Sequence, residues 1–325
     1  MISPDVAEAV SRLERTHVIS LEQATLFRRV ARGELVSLSA CLHALLYLGV
    51  VALTTGTGLL FKEQIANLGP LSIALGVGLV AALCFVWVSR QAGPFSRTEV
   101  AAPHFAFDYV LVLGGLLAAA DLAFIESRFS PLGDAWSLHL LIVSLGYAAL
   151  AFRFDSRTLF GLALTSFAAW RGVAAASVER AVFGFFNDTD AVRLNTLVCG
   201  LVFITIGRAL KRRSFKAHFE PTSTHLGWLL ILQSIAWGIT QDEGASLHRL
   251  ALMIVGSGLA AFAWRSRRFT LFVFGVLAAY LGLIAVLFAA LDEPISILFL
   301  IAVSAIGLIV GLTVIHRRFP RSEDE

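Results

Sequence analysis

The length of the apolar blocks most constrains what this chain can fold into. Stretches of about 17–25 residues, almost free of charge, recur from Val36 to Ile315. That length lets a helix cross ~30 Å of hydrocarbon. Inside a bilayer each segment must satisfy its own backbone polar groups, which leaves helices or closed barrels. The strict alternation of a membrane barrel is absent. Hydrophobic residues make up 57% of the chain and charged ones 15%, whereas a soluble domain carries about a quarter charged residues. The sequence therefore predicts an all-α fold, a polytopic transmembrane helical bundle of about ten spans.

The spans are placed at Val36–Leu60, Leu68–Val88, Phe105–Ile125, Trp136–Phe152, Thr158–Ala176, Val192–Leu210, Thr224–Thr240, Leu247–Trp264, Phe269–Ala290 and Ile295–Ile315. Charge in the loops orients them. With both termini cytosolic, Lys62, Arg128, Arg171, Arg180, Arg193 and Arg249 fall on or near the outer side, and the other 20 of the 26 Lys and Arg fall inside. This is a strong positive-inside bias, and omitting one span would destroy it. Trp87, Trp136, Trp170, Trp237 and Trp264 sit near span ends, as an aromatic belt requires.

Residues 1–35 read as a cytosolic helical hairpin. Pro4 suits a first helical turn after Ser3, and Ser20-Leu21-Glu22-Gln23 is a capping box. The hairpin either caps the bundle or docks a protein partner. The bundle occupies 36–315, and 316–325 is a charged cytosolic tail. Between the fifth and sixth spans, Val178, Val182, Phe183, Phe185 and Phe186 suit a short helix lying in the outer interface. The N-terminus lacks a basic region followed by an apolar one, so no cleavable signal peptide is expected. Cys41, Cys84 and Cys199 lie in apolar stretches without metal-like spacing and read as buried thiols.

An internal repeat is visible. Ser137-Leu138-His139 opens one apolar run and Ser246-Leu247-His248 another; Gly146, Phe152, Ser156, Arg157 and Gly172 then pair with Gly256, Phe262, Ser266, Arg267 and Gly282. Both copies enter from the same side. The expected unit is a parallel four-span repeat, near 105–176 and 224–290, rather than the inverted repeat of many transporters.

From Val18-Ile19-Ser20-Leu21-Glu22-Gln23-Ala24 through the first spans, the chain resembles a family of bacterial predicted membrane proteins, domain of unknown function 2157. Tyr109-Val110-Leu111-Val112-Leu113-Gly114-Gly115 and Pro131-Leu132-Gly133-Asp134-Ala135-Trp136 are similar to the family's middle. The resemblance covers about residues 15–175. It implies a bacterial inner-membrane setting and carries no activity with it.

Ionisable residues inside spans cost about 2.5–3.5 kcal/mol each at mid-depth and are functional candidates for that reason. Asp121 and Arg171 lie at matching depths near the outer ends of their spans. They read either as an ion pair lining a pocket for a ligand headgroup, or as a pair that fixes register beside an Arg reaching the headgroups. His139 and His248 open equivalent spans near Asp134 and Asp242, either as interfacial residues beside helix caps or as a proton-sensing pair. His43 and Gln233 are lone polar residues within spans, suited to interhelical hydrogen bonds. No HExxH, P-loop or GxSxG motif occurs. The chain is read as no enzyme, with no cofactor or metal, and no basic aromatic face for nucleic acid. Two functions remain open. One is transport or binding of a small or amphiphilic ligand in the bundle. The other is a membrane scaffold, sensor or assembly factor using the N-terminal hairpin. Membrane lipids are partners in both.

Overall fold

A computed structural model describes residues 69–100, 103, 106–182, 188–240, 244–290, 304–305 and 307–315, with isolated positions between 20 and 56. The chain divides into two compact units, Met1–Gly69 and Pro70–Glu325. The few described residues of the first unit between 45 and 56 are helical and mostly exposed. Apart from Ser20, the predicted hairpin lies outside the described residues, as do the tail, His43 and Cys41.

Eight α-helices are described in the second unit, with no strand among the described residues. They are α1 Pro70–Gln91, α2 Phe107–Phe129, α3 Leu138–Phe154, α4 Arg157–Val182, α5 Asp188–Arg212, α6 Glu220–Trp237, α7 Ala245–Arg265 and α8 Phe269–Ala290. Each coincides with a predicted span, its ends shifted by a few residues. Of the two remaining spans, Val36–Leu60 lies largely outside the described residues, whereas Ile295–Ile315 is described at 304–305 and 307–315, all of it helical. Five helices, α1, α2, α5, α7 and α8, are long and apolar enough to cross a membrane, while the apolar α3 has 17 residues.

Local chemistry explains several ends. Proline stands at the start of α1 and in the first turn of α6, where a missing N–H costs nothing. α2 stops at Ser130, whose left-handed backbone (φ 46°) returns its N–H to the Glu126 carbonyl. Gly244, at φ 78°, precedes α7, a conformation that glycine adopts without penalty. No proline interrupts Gly172 to Val182, so α4 continues past the predicted end at Ala176 and takes in Val178 and Val182 of the segment predicted to lie in the interface, while Phe183, Phe185 and Phe186 lie outside the described residues.

Packing is pairwise in chain order. α1 pairs with α2, α3 with α4, α5 with α6, and α7 with α8; α4 also packs on α5, and α6 on α4, α7 and α8. Glycines permit the closest approaches. A Cβ on Gly200 would lie 2.7 Å from the Gly227 carbonyl across the α5–α6 contact, and one on Gly256 would lie 2.8 Å from the Gly275 carbonyl across α7–α8. Small residues at helix crossings are how membrane helices gain contact when lipid offers no hydrophobic drive. Serine adds interhelical bonds: Ser144 Oγ donates to the Ala163 carbonyl at 2.8 Å and Ser223 Oγ to the Phe203 carbonyl at 2.6 Å.

Outward faces are apolar. Leu71, Leu75, Leu79 and Leu83 form an exposed stripe along α1, and Leu247, Leu250, Ile254 and Phe262 continue the pattern on α7. Only 17–33% of the most apolar window in each of the five long helices is buried. Such stripes are a liability in water and the expected surface in hydrocarbon.

The two stretches matched in the sequence as repeat copies differ in detail. Gly256 and Gly282 press on backbone of the paired helix, whereas Gly146 and Gly172 face open space. The first turn is made by left-handed Asp155 and the second by left-handed Arg267, which the alignment pairs with Arg157 instead. Ser137 caps α3 without a side-chain bond, and α7 is capped by Gly244, so Ser246 lies inside the helix.

Candidate functional site

Four hairpin turns meet at one end of the bundle. The α1–α2 connection, the α3–α4 turn, the α5–α6 turn and the α7–α8 turn are joined there by polar contacts. At the centre is Asp155, the residue that ends α3. Its Oδ1 accepts from Lys216 Nζ at 2.5 Å and lies 3.3 Å from His218 Nε2. The second contact is too poorly aligned for a hydrogen bond, and Nε2 has no other partner. The Lys216 side chain is 0% exposed, and those of Asp155 and His218 are 5% exposed.

The backbone holds Lys216 in place. It takes the left-handed conformation (φ 48°), its N–H donates to the Arg97 carbonyl at 2.8 Å, and its ammonium lies 4.9 Å from the Phe95 ring centre. Arg157 pairs with Glu99 at 3.1 Å, and Arg153 donates to the Gly93 carbonyl at 3.1 Å. Beneath them Phe219 is fully buried, stacked on Phe160 at 4.6 Å and edge-on to Phe152 at 5.4 Å. Alongside, Glu220 accepts two bonds from Arg268, at 2.8 and 3.0 Å, and lies 3.8 Å from Lys211. That bidentate pair ties α6 to the α7–α8 turn.

This cluster is a joint. A cavity of about 20 Å³ beside it, lined by Gly93, Pro94, Arg153 and Asp155 among others, has room for a water and not for a solute. Lys216 is sealed from any substrate. Nothing in the basic turns marked Asp155, Lys216 or His218 as partners, since the sequence separates Asp155 from Lys216 by 61 residues.

Burial pushes the His218 imidazole below its usual range, against the opposing pull of Glu99 and Asp155; Arg157 and Lys216 add to the lowering. The folded state therefore holds His218 neutral at pH values where the unfolded chain takes up a proton. Stability is full above the free value of 6.5. It falls as pH drops from there through the depressed folded value. Melting of the purified protein in neutral detergent between pH 8 and pH 5 should show this loss, and His218→Gln should flatten it. An unchanged slope in the variant would assign the pH dependence elsewhere.

The residues singled out in the sequence are placed apart. No ion pair joins Asp121 to Arg171 among the described residues. Asp121 faces α1 instead, where a Cβ on Gly78 would lie 3.0 Å from its Oδ2, and its Oδ1 is buried without a hydrogen-bond partner. Because α2 extends to Phe129, Asp121 lies eight residues from the helix end, deeper than the span boundary at Ile125 implies. Arg171 lies beside Trp170, its guanidinium carbon 5.8 Å from the ring centre.

His139 serves its own helix start, whereas His248 serves its own and also joins α7 to Arg193 of α5. His139 Nδ1 contacts the Trp136 carbonyl at 2.5 Å, and its ring stacks on Trp136. His248 Nδ1 lies 2.9 Å from the Gly244 carbonyl, and its Nε2 lies 2.7 Å from Arg193, which also pairs with Asp190 at 3.2 Å. Arginine can only donate, so Nε2 is the acceptor and Nδ1 carries the proton. Gln233 is exposed on α6. Its neighbour Ser234 makes the interhelical bond instead, donating to the Arg193 carbonyl at 2.8 Å. The helix rotation places position 234, and not 233, against α5. Cys84 and Cys199 are free thiols.

No family model, no curated protein and no solved structure matches this chain.

Proposed function

We infer that the chain is a multi-pass protein of the bacterial inner membrane, with ten spans and cytosolic termini. Its bundle binds a small or amphiphilic solute, and Asp121 receives the solute's positive charge. The observation that carries this reading is the Asp121 carboxyl, with one oxygen shielded and unpaired on the apolar helix α2. A buried charge without a partner is expensive. A proton or an ammonium group arriving between α1 and α2 offsets that cost, and Gly78 leaves the carboxyl room on the α1 side. The scaffold alternative draws on the hairpin of residues 1–35.

The test is melting of the full chain in neutral detergent with n-hexylammonium chloride against sodium chloride at equal ionic strength. The amine should raise the midpoint of the wild type, by an amount corresponding to about 2.7 kcal/mol at a hundredfold excess over its dissociation constant. It should leave Asp121→Asn unmoved. Equal behaviour of the two proteins would return the assignment to the scaffold.

A further inference from the structure

Asn195, on α5, is 7% exposed, and neither its amide nitrogen nor its amide oxygen has a hydrogen-bond partner. Ser144 and Ser223, buried in the same bundle, each donate to a backbone carbonyl of a neighbouring helix. Buried amides without partners are rare enough that each one asks for a cause.

The register of α4 against α5 supplies one. Phe167 on α4 meets Phe203 on α5, ring centres 6.4 Å apart. The two helices run antiparallel, so one turn further on brings Arg171 level with Cys199. Asn195 lies one more turn along the same stripe of α5, four residues from Cys199. Arg171 is exposed, and no acid pairs with it among the described residues. By this register Arg171 and the unsatisfied Asn195 amide lie within about one helical turn of each other along the α4–α5 seam. Leu194 and Val198, exposed on the same helix, offer an apolar flank beside them.

Two donors of this kind fit an oxyanion. The guanidinium fork matches phosphate oxygens in pairs, and the Asn195 amide supplies a neutral N–H from within the seam. We propose that Arg171 and Asn195 form a phosphate-binding site between α4 and α5. The site is opposite in charge to Asp121 and stands independently of the ligand reading given above.

The experiment uses the delipidated full chain in neutral detergent. It is titrated with phosphatidylglycerol in mixed micelles, and separately with inorganic phosphate, and bound mass is read by native mass spectrometry. One phosphatidylglycerol should be retained, with affinity at least tenfold weaker in Arg171→Gln and in Asn195→Asp, which keeps the shape and repels an anion. Retention that inorganic phosphate does not displace identifies a lipid headgroup as the source. Displacement by inorganic phosphate identifies the free ion. Asn195→Leu guards against a folding artefact. If it melts no lower than wild type and binds phosphatidylglycerol equally well, Asn195 is only an unpaired core amide and the site is refuted. Retention unchanged in both Arg171→Gln and Asn195→Asp refutes it equally.

Discussion

Replacing Asp155 with alanine is expected to destabilise the bundle by about 3–5 kcal/mol, the usual cost of stranding one member of a buried ion pair. Lys216 has no route to water, with its side chain 0% exposed. Without the carboxylate its ammonium keeps the Phe95 ring at 4.9 Å, a contact worth about 2 kcal/mol when desolvated and less than the charge pair it would have to replace. Unfolding in mixed detergent, followed by tryptophan fluorescence, measures the loss. The double variant Asp155→Ala/Lys216→Met should recover most of it, because a well-packed apolar pair replaces a buried ionic one at little net cost. A single-variant cost below about 1 kcal/mol, the range of exposed pairs, would mean that water reaches the pair.

Gly256→Ala should open the α7–α8 hairpin. The added Cβ would fall 2.4 Å from the Ala279 nitrogen and 2.8 Å from the Gly275 carbonyl oxygen. Both are backbone atoms and cannot rotate away, so the helices must separate. Overpacking of this kind costs about 1–3 kcal/mol and occasionally more. Gly258 is the internal control, since nothing lies within 4 Å of its would-be Cβ. Gly258→Ala should leave stability unchanged or raise it by up to ~1 kcal/mol through helix propensity. Hydrogen exchange along α7 and α8 separates the two outcomes: faster exchange in the first variant, none in the second. Equal exchange in both would show that the seam yields.

Much of the architecture was legible because the solvent imposes it. A run such as Phe269–Ala290 has few alternatives to a helix in hydrocarbon. Basic residues in alternate connections indicated which turns share a side, and four of those turns meet in the structure. Partners across helices were not legible, because they depend on rotation and register. Asp121 stood out as a charge in an apolar run, yet it faces Gly78 and not Arg171. Gln233 and Ser234 differ by one position, and only the second turns toward α5. Lys216 counts only among the 20 basic residues of the inner side, and nothing singles out His218. Their burial follows from the aromatic layer of Phe152, Phe160 and Phe219, which the sequence scatters across three segments. The glycines matched by the repeat likewise gave no hint that one copy uses them for contact and the other does not.

The pairing of each helix with its chain neighbour has a kinetic meaning. From α1 to α8, the main partner of every helix is the one made just before or just after it. Contacts that close over short stretches of chain form early and quickly. Each two-helix element can be complete as its second helix leaves the ribosome, before the next pair exists. The late step is then the meeting of finished pairs, when Asp155 accepts from Lys216, 61 positions further along the chain, and the four turns lock together. A nascent chain halted after Arg212 would hold the earlier pairs and lack the residue that joins them.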